Sequence, residues 1–220
     1  MRVVGVDIGS VKSPSKFAWA VLDSLERAVL CCGDDPEGAV QALAQSLAQG
    51  GSAVLTVEAP MSVPVPHPDG GEWRRLGAAR AGEGNRPWSA GAGAGALATG
   101  ITQTAWMLSR LYTLAPQVAA TTQPRRFSAG EANLLLTEAF VSGSGKPVPV
   151  ASGQHAADAE AAARATLAYL TDGPEGFPLV ECAPRRALNL LAVLAEWAGI
   201  PVPCDEMHLD VLVIRARPAT

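Results

Sequence analysis

The sequence predicts an α/β protein built on a mixed sheet with helices on its flanks. Its first part reads as three short apolar strands joined by polar turns, too short for a crossover, which makes them an antiparallel meander. The fourth strand is reached through a helical stretch, so its pairing is parallel. Strand and helix periods then alternate, giving the order β-β-β-α-β-α-β-α. A five-stranded sheet with three antiparallel strands and a parallel half follows.

Each element has its own signal. Residues 2–7 are valine-rich and barely alternate, as suits a central strand buried on both faces. Residues 17–22 follow a polar turn, and 27–32 follow a tight one. Pro36 opens a helix with Ala39, Leu43 and Leu47 at helical spacing, and Gly50-Gly51 closes it. Residues 53–58 are the fourth strand. Residues 59–99 are rich in Pro, Gly and Arg and lack a period, which marks an insertion that carries function or moves. The glycine-alanine run at 90–100 reads as a flexible turn, with a helix over about 101–115. Residues 134–140 are the fifth strand, and 143–146 form a loop. An alanine-rich helix is expected at 155–170. Another is expected at 184–199, with Pro at its start and Gly at its end. A last strand is expected at 210–215. The chain reads as one domain, 1–220, with the insertion at 59–99 and a helix-strand extension at 176–220.

Composition bounds the function. At 220 residues and 48% hydrophobic, the chain can bury a full core. A net charge of −4 argues against coating nucleic acid electrostatically, while leaving room for a local basic groove. The start lacks the charged and apolar regions of a signal peptide, and no apolar run approaches the roughly 20 residues that span a bilayer. A soluble cytoplasmic protein without a membrane partner is expected. Cys31, Cys32, Cys182 and Cys204 lack zinc-site spacing and read as buried reduced thiols. The apolar helix expected at 184–199 offers a face for a homodimer.

The chemistry starts at Asp7, a carboxylate at the end of the first apolar strand. Such a charge beside a core needs a cation or hydrogen bonds. Gly9, two residues on, permits a close approach, so the strand end reads as a metal or phosphate site. Glu58 ends the fourth strand and Ala59-Pro60 stops it. The carboxyl ends of neighbouring parallel strands open on one crevice, so Asp7 and Glu58 are expected to face each other. Glu138 lies in the fifth strand. His155 and Asp158 are three apart on a helix and share a face. Clustered carboxylates repel, and a hard divalent cation such as Mg²⁺ or Mn²⁺ relieves that repulsion while leaving room for substrate phosphates. Asp7, Glu58, Glu138, His155 and Asp158 are therefore the candidate catalytic set. Arg75, Arg80 and Arg86 lie near Trp73 and Trp88, and such side chains clamp phosphate and stack on bases. With Lys146 they are the expected substrate contacts. Lys146 is not part of a phosphate loop, because Phe140 and Pro147 stand where the motif needs Gly and Ser or Thr.

These residues resemble a known pattern. Gly5-Val6-Asp7, Glu58-Ala59-Pro60, the arginines at 74–80, Leu136-Thr137-Glu138 and His155-Ala156-Ala157-Asp158-Ala159 are similar to the motifs of predicted ribonuclease H-like nucleases. The His-x-x-Asp helix also resembles that of RuvC-type resolvases. The likeness covers most of residues 1–170 and departs from the family at Ile8-Gly9-Ser10. It implies a ribonuclease H-like fold and nuclease activity. It also implies Asp7, Glu58 and Asp158 as ligands of Mg²⁺ or Mn²⁺, with His155 or Glu138 as a further one, and nucleic acid as partner.

Two other readings stand beside this one. Asp7-Ile8-Gly9-Ser10 also resembles the first phosphate motif of actin and sugar-kinase-like ATP-binding domains, although the second motif of that class is missing. A non-catalytic binding module on the same fold is the third.

Overall fold

The first strand, β1 (Arg2–Asp7), lies inside a seven-stranded sheet, where it pairs antiparallel with β2 (Ala18–Asp23) and parallel with β4 (Ala53–Glu58). In this computed structural model the described residues are 1–10, 12–13, 16–70, 72–83, 87–142, 146–175, 177–182 and 186–216. Beyond β2 lies β3 (Val29–Gly33), also antiparallel, at one edge of the sheet. Beyond β4 lies β7 (Leu134–Phe140), parallel to it. The meander and the parallel crossover are thus present, on a mixed sheet flanked by helices.

The expected five strands are seven in this sheet because two short strands share the outer edge of β7. β6 (Ala120–Thr121) pairs with Leu134 and Leu135, and β9 (Val213–Arg215) pairs with Glu138, Ala139 and Phe140. The last strand expected at 210–215 is the shorter β9, whereas a two-residue strand such as β6 carries too little pattern to be read from sequence. A separate antiparallel ribbon joins β5 (Ser62–Pro64) to β8 (Ala187–Asn189), so the insertion and the C-terminal extension are hydrogen-bonded together.

Helix α1 (Pro36–Ala48) starts where Asp35 accepts a hydrogen bond from the Gly38 amide at 2.7 Å, with Pro36 in its first turn. Helix α2 (Gly91–Leu114) begins ten residues earlier than the sequence suggests. Two of the glycines there serve close approach, where the sequence suggests a turn. A Cβ on Gly93 would stand 2.2 Å from the Pro87 carbonyl oxygen, and one on Gly100 would stand 2.6 Å from both the Ala59 Cβ and the end of Met61. A short helix, α3 (Pro124–Ser128), follows β6. The alanine-rich helix α4 runs Gln154–Asp172. Helix α5 (Leu190–Trp197) is shorter than the expected 184–199, because residues 187–189 go into β8 and Asn189 caps the helix by accepting from the Ala192 amide at 3.0 Å. Residues 184–185 and 143–145, parts of the expected helix and loop, lie outside the described residues. Of the four cysteines, expected to be buried, Cys182 is, whereas Cys31, Cys32 and Cys204 are exposed.

The sheet has helices on both faces. Val4, Val6, Leu55 and Leu136 point into a large core with Leu43, Met107, Leu108 and Leu191 of α1, α2 and α5. Val3, Val54 and Leu135 point the other way, toward Ala163 and Leu167 of α4. On α5, within the stretch offered as a face for a second copy, Leu191, Ala192, Leu194 and Ala195 are buried and Trp197 is exposed, and the helix packs on α2. Among the described residues no helix is long and apolar enough to cross a membrane.

Candidate metal centre

The site is built by register and by one glycine. In the parallel pair β1–β4, Asp7 stands opposite Glu58. In-register partners point to the same face, here the face covered by α4. The helix comes unusually close to β1 because residue 5 has no side chain. A Cβ on Gly5 would lie 2.2 Å from the Ala159 carbonyl oxygen and 2.9 Å from the Ala163 Cβ. Ala18 and Ala20 of β2 extend this narrow seam against Ala156 and Ala159. The close approach delivers the first turns of α4 to the ends of β1 and β4. One carboxylate oxygen from each of Asp7, Glu58 and Asp158 consequently lies within 4.8 Å of the others.

The trio carries more negative charge than its surroundings balance. Asp7 and Asp158 are buried. Burial pushes the Asp7 carboxyl up to about 6, against the lowering charge and hydrogen bond of His155; Asp158 raises it further and Lys146 lowers it. Glu58 is held well above the usual carboxylate range, first by burial and then by the charges of Asp7 and Asp158. His155 Nδ1 lies 2.5 Å from Asp7 Oδ2 with a proton between them. Asp158 accepts from Lys146 Nζ at 3.1 Å through Oδ2 and from Gln154 Nε2 at 2.7 Å through Oδ1. Glu58 Oε2 is shut off from solvent and has no hydrogen-bond partner among the described residues. A buried oxygen without a donor is costly. Three hard oxygen donors, one of them unsatisfied, suit a cation of the Mg²⁺, Mn²⁺ or Ca²⁺ kind, and the absence of thiolate argues against a soft metal.

The other expected residues divide. His155 and Lys146 join the trio. Glu138 does not, and parity is the reason. Glu138 pairs with Val57, so it shares the face of Val57 and points away from Glu58. There it meets Arg80, expected at the substrate and in fact buried. Arg80 donates to both Glu138 oxygens, at 2.8 and 2.7 Å, and to Glu83 at 3.1 Å. The Met61 amide adds a bond to Glu138 at 2.7 Å. The pair ties the insertion to the sheet. Arg75 is half-exposed and paired with Glu72 at 2.8 Å. Arg86 lies outside the described residues.

Sequence reasoning misses two residues of the site. Gln154 orients Asp158, and its position four residues before it is the available signal. Gly5 sets the helix distance, and a glycine inside a strand is itself a mark of close backbone approach. Compared with protein-family models, with curated proteins and with solved structures, the chain matches none.

Proposed function

We propose that the chain is a divalent-cation-dependent phosphodiesterase acting on nucleic acid, on a ribonuclease H-like fold. The observation that carries the reading is the convergence of Asp7, Glu58 and Asp158 around an unsatisfied Glu58 oxygen. The sheet order β3-β2-β1-β4-β7, antiparallel and then parallel, agrees with the fold that the motifs imply. So does a third carboxylate supplied by the helix after β7.

Asp7, Glu58 and Asp158 would hold the cation, Mg²⁺ or Mn²⁺. When bound, it supplies Lewis-acid charge at the phosphodiester and makes a water more acidic. The chain's own residues do the rest. His155, hydrogen-bonded to Asp7 through Nδ1, keeps Nε2 without a partner among the described residues, so it can take or give a proton there. Gln154 holds Asp158 through Oδ1, while Oδ2 is met by Lys146. The exposed Trp73, with the Arg74 guanidinium 4.7 Å over its ring, offers a stacking surface of the kind that nucleic-acid bases use.

One observation favours this reading over an ATP-binding one. A Cβ on Gly9 would lie 1.5 Å from the Lys16 carbonyl oxygen. The place where a phosphate would approach this glycine is filled by the chain itself.

Isothermal titration with Mn²⁺ and Mg²⁺, alongside cleavage of single-stranded, duplex and branched DNA and RNA, tests the proposal. Wild type is expected to bind a cation saturably and to cleave at least one substrate. Asp7→Asn and Glu58→Gln are expected to lose cation affinity by about 10- to 100-fold and cleavage by roughly 100-fold or more, while remaining folded by circular dichroism. A wild-type protein that binds neither cation sinks the reading.

A further inference from the structure

We propose that Lys146 is the counter-ion of the cation-free centre, competing with the divalent cation for Asp158 and, once displaced, meeting a substrate phosphate. This rests on the reading of the trio as a metal centre and adds how that centre is regulated.

The side chain of Lys146 is 43% exposed, yet its Nζ reaches 3.1 Å from an oxygen of Asp158, whose side chain is 4% exposed. An exposed ammonium thus reaches in to a buried acid. Its base is anchored: the next residue, Pro147, accepts from Gln154 Nε2 at 3.2 Å through its carbonyl. The same Gln154 amide holds Asp158 Oδ1 at 2.7 Å. Asp158 therefore has one oxygen, Oδ2, open to a further partner, and Lys146 occupies it.

An ammonium on Asp158 Oδ2 and a divalent cation at the trio repel each other, so each weakens the hold of the other. Lysine suits an exchangeable role. Its charge sits at the end of a flexible four-carbon stem, whereas arginine makes a planar, bidentate clamp. Swung off Asp158, the ammonium remains on the rim of the centre, where a phosphodiester would arrive. The two events are linked: a phosphate that draws Lys146 away raises cation affinity, and a bound cation raises phosphate affinity by the same factor.

Titration of Mn²⁺ alone into wild type, Lys146→Met and Lys146→Arg tests this without reference to activity. Lys146→Met is expected to bind Mn²⁺ about 5- to 20-fold more tightly than wild type, because a competing charge is removed. Lys146→Arg, which keeps the charge and clamps a carboxylate more firmly, is expected to bind Mn²⁺ no more tightly than wild type. If Lys146 only held Asp158 in place, Lys146→Met would bind equally or more weakly, and that result overturns the inference while leaving the metal centre intact. A wild type that binds no Mn²⁺ overturns both.

Discussion

The sheet carries two buried groups of carboxylates, one on each face, and they are handled in opposite ways. On the α2 and α5 side, Glu138 and Glu83 share Arg80, whose guanidinium is fully buried between them. The Met61 and Ser62 amides also donate to Glu138, at 2.7 and 3.3 Å. Every charge there has a partner, and the result is a fixed tie between insertion and sheet. On the α4 side, Asp7, Glu58 and Asp158 meet one half-exposed histidine and one half-exposed lysine, and one Glu58 oxygen has no partner among the described residues. The difference separates structure from function. A buried acid matched donor for donor is part of the scaffold, whereas a buried set left short of positive charge could hold a cation from outside.

The largest expected effect comes from breaking the balanced group. Arg80→Leu leaves two buried carboxylates without their cation and should cost about 3–5 kcal/mol in urea unfolding at neutral pH. Cation affinity should hardly change, since Arg80 faces away from the trio. A loss under about 1 kcal/mol, or a lost cation site, would erase the distinction between the two groups.

The unbalanced group should reveal itself through pH. Asp7 is held up to about 6, from an ordinary 3.8, so it binds its proton more tightly in the folded chain. Its contribution to stability is then fully present below the ordinary carboxylate range and is lost as pH rises through about 6. Without divalent cation, the stability of wild type relative to Asp7→Asn should fall by on the order of 2–3 kcal/mol between pH 4 and pH 7. Saturating Mn²⁺ should remove the fall. A flat difference in chemical unfolding across that range would show that the trio is not short of positive charge.

The smallest effect tests the seam that assembles the trio. Gly5→Ala places a methyl against the Ala159 carbonyl, so α4 must shift. A cost of roughly 1–3 kcal/mol is expected, with weaker Mn²⁺ binding as Asp158 retreats from Asp7. Stability lost with cation affinity unchanged would mean that the trio tolerates a displaced helix.

Much of the centre is legible in the sequence. Asp7 and Glu58 close two strands of equal length that the intervening helix makes parallel, so their meeting follows from topology. Asp158 and His155 share a helix face by spacing alone. Glu138 is misplaced by sequence reasoning for a definite reason. Strands β4 and β7 are apolar on both faces, so their sequences carry no alternation that says which way a given residue points. The Gly-Ala run misleads in a similar way: glycine disfavours a helix by local propensity, but the packing of Gly93 and Gly100 overrides that here.

The sequence by itself determined the order of the main strands and helices, the helix start at Pro36, the stops at Pro60 and Gly50-Gly51, and the three acids at element ends. These depend on periods and caps that act over a few residues. Only the tertiary structure decided the parity of Glu138, the burial of Arg80, the short strand β6 along the edge of β7 and the place of Lys146 on Asp158. Each of these is a contact between segments distant in the chain, where one residue of register or one missing Cβ sets which side chains meet.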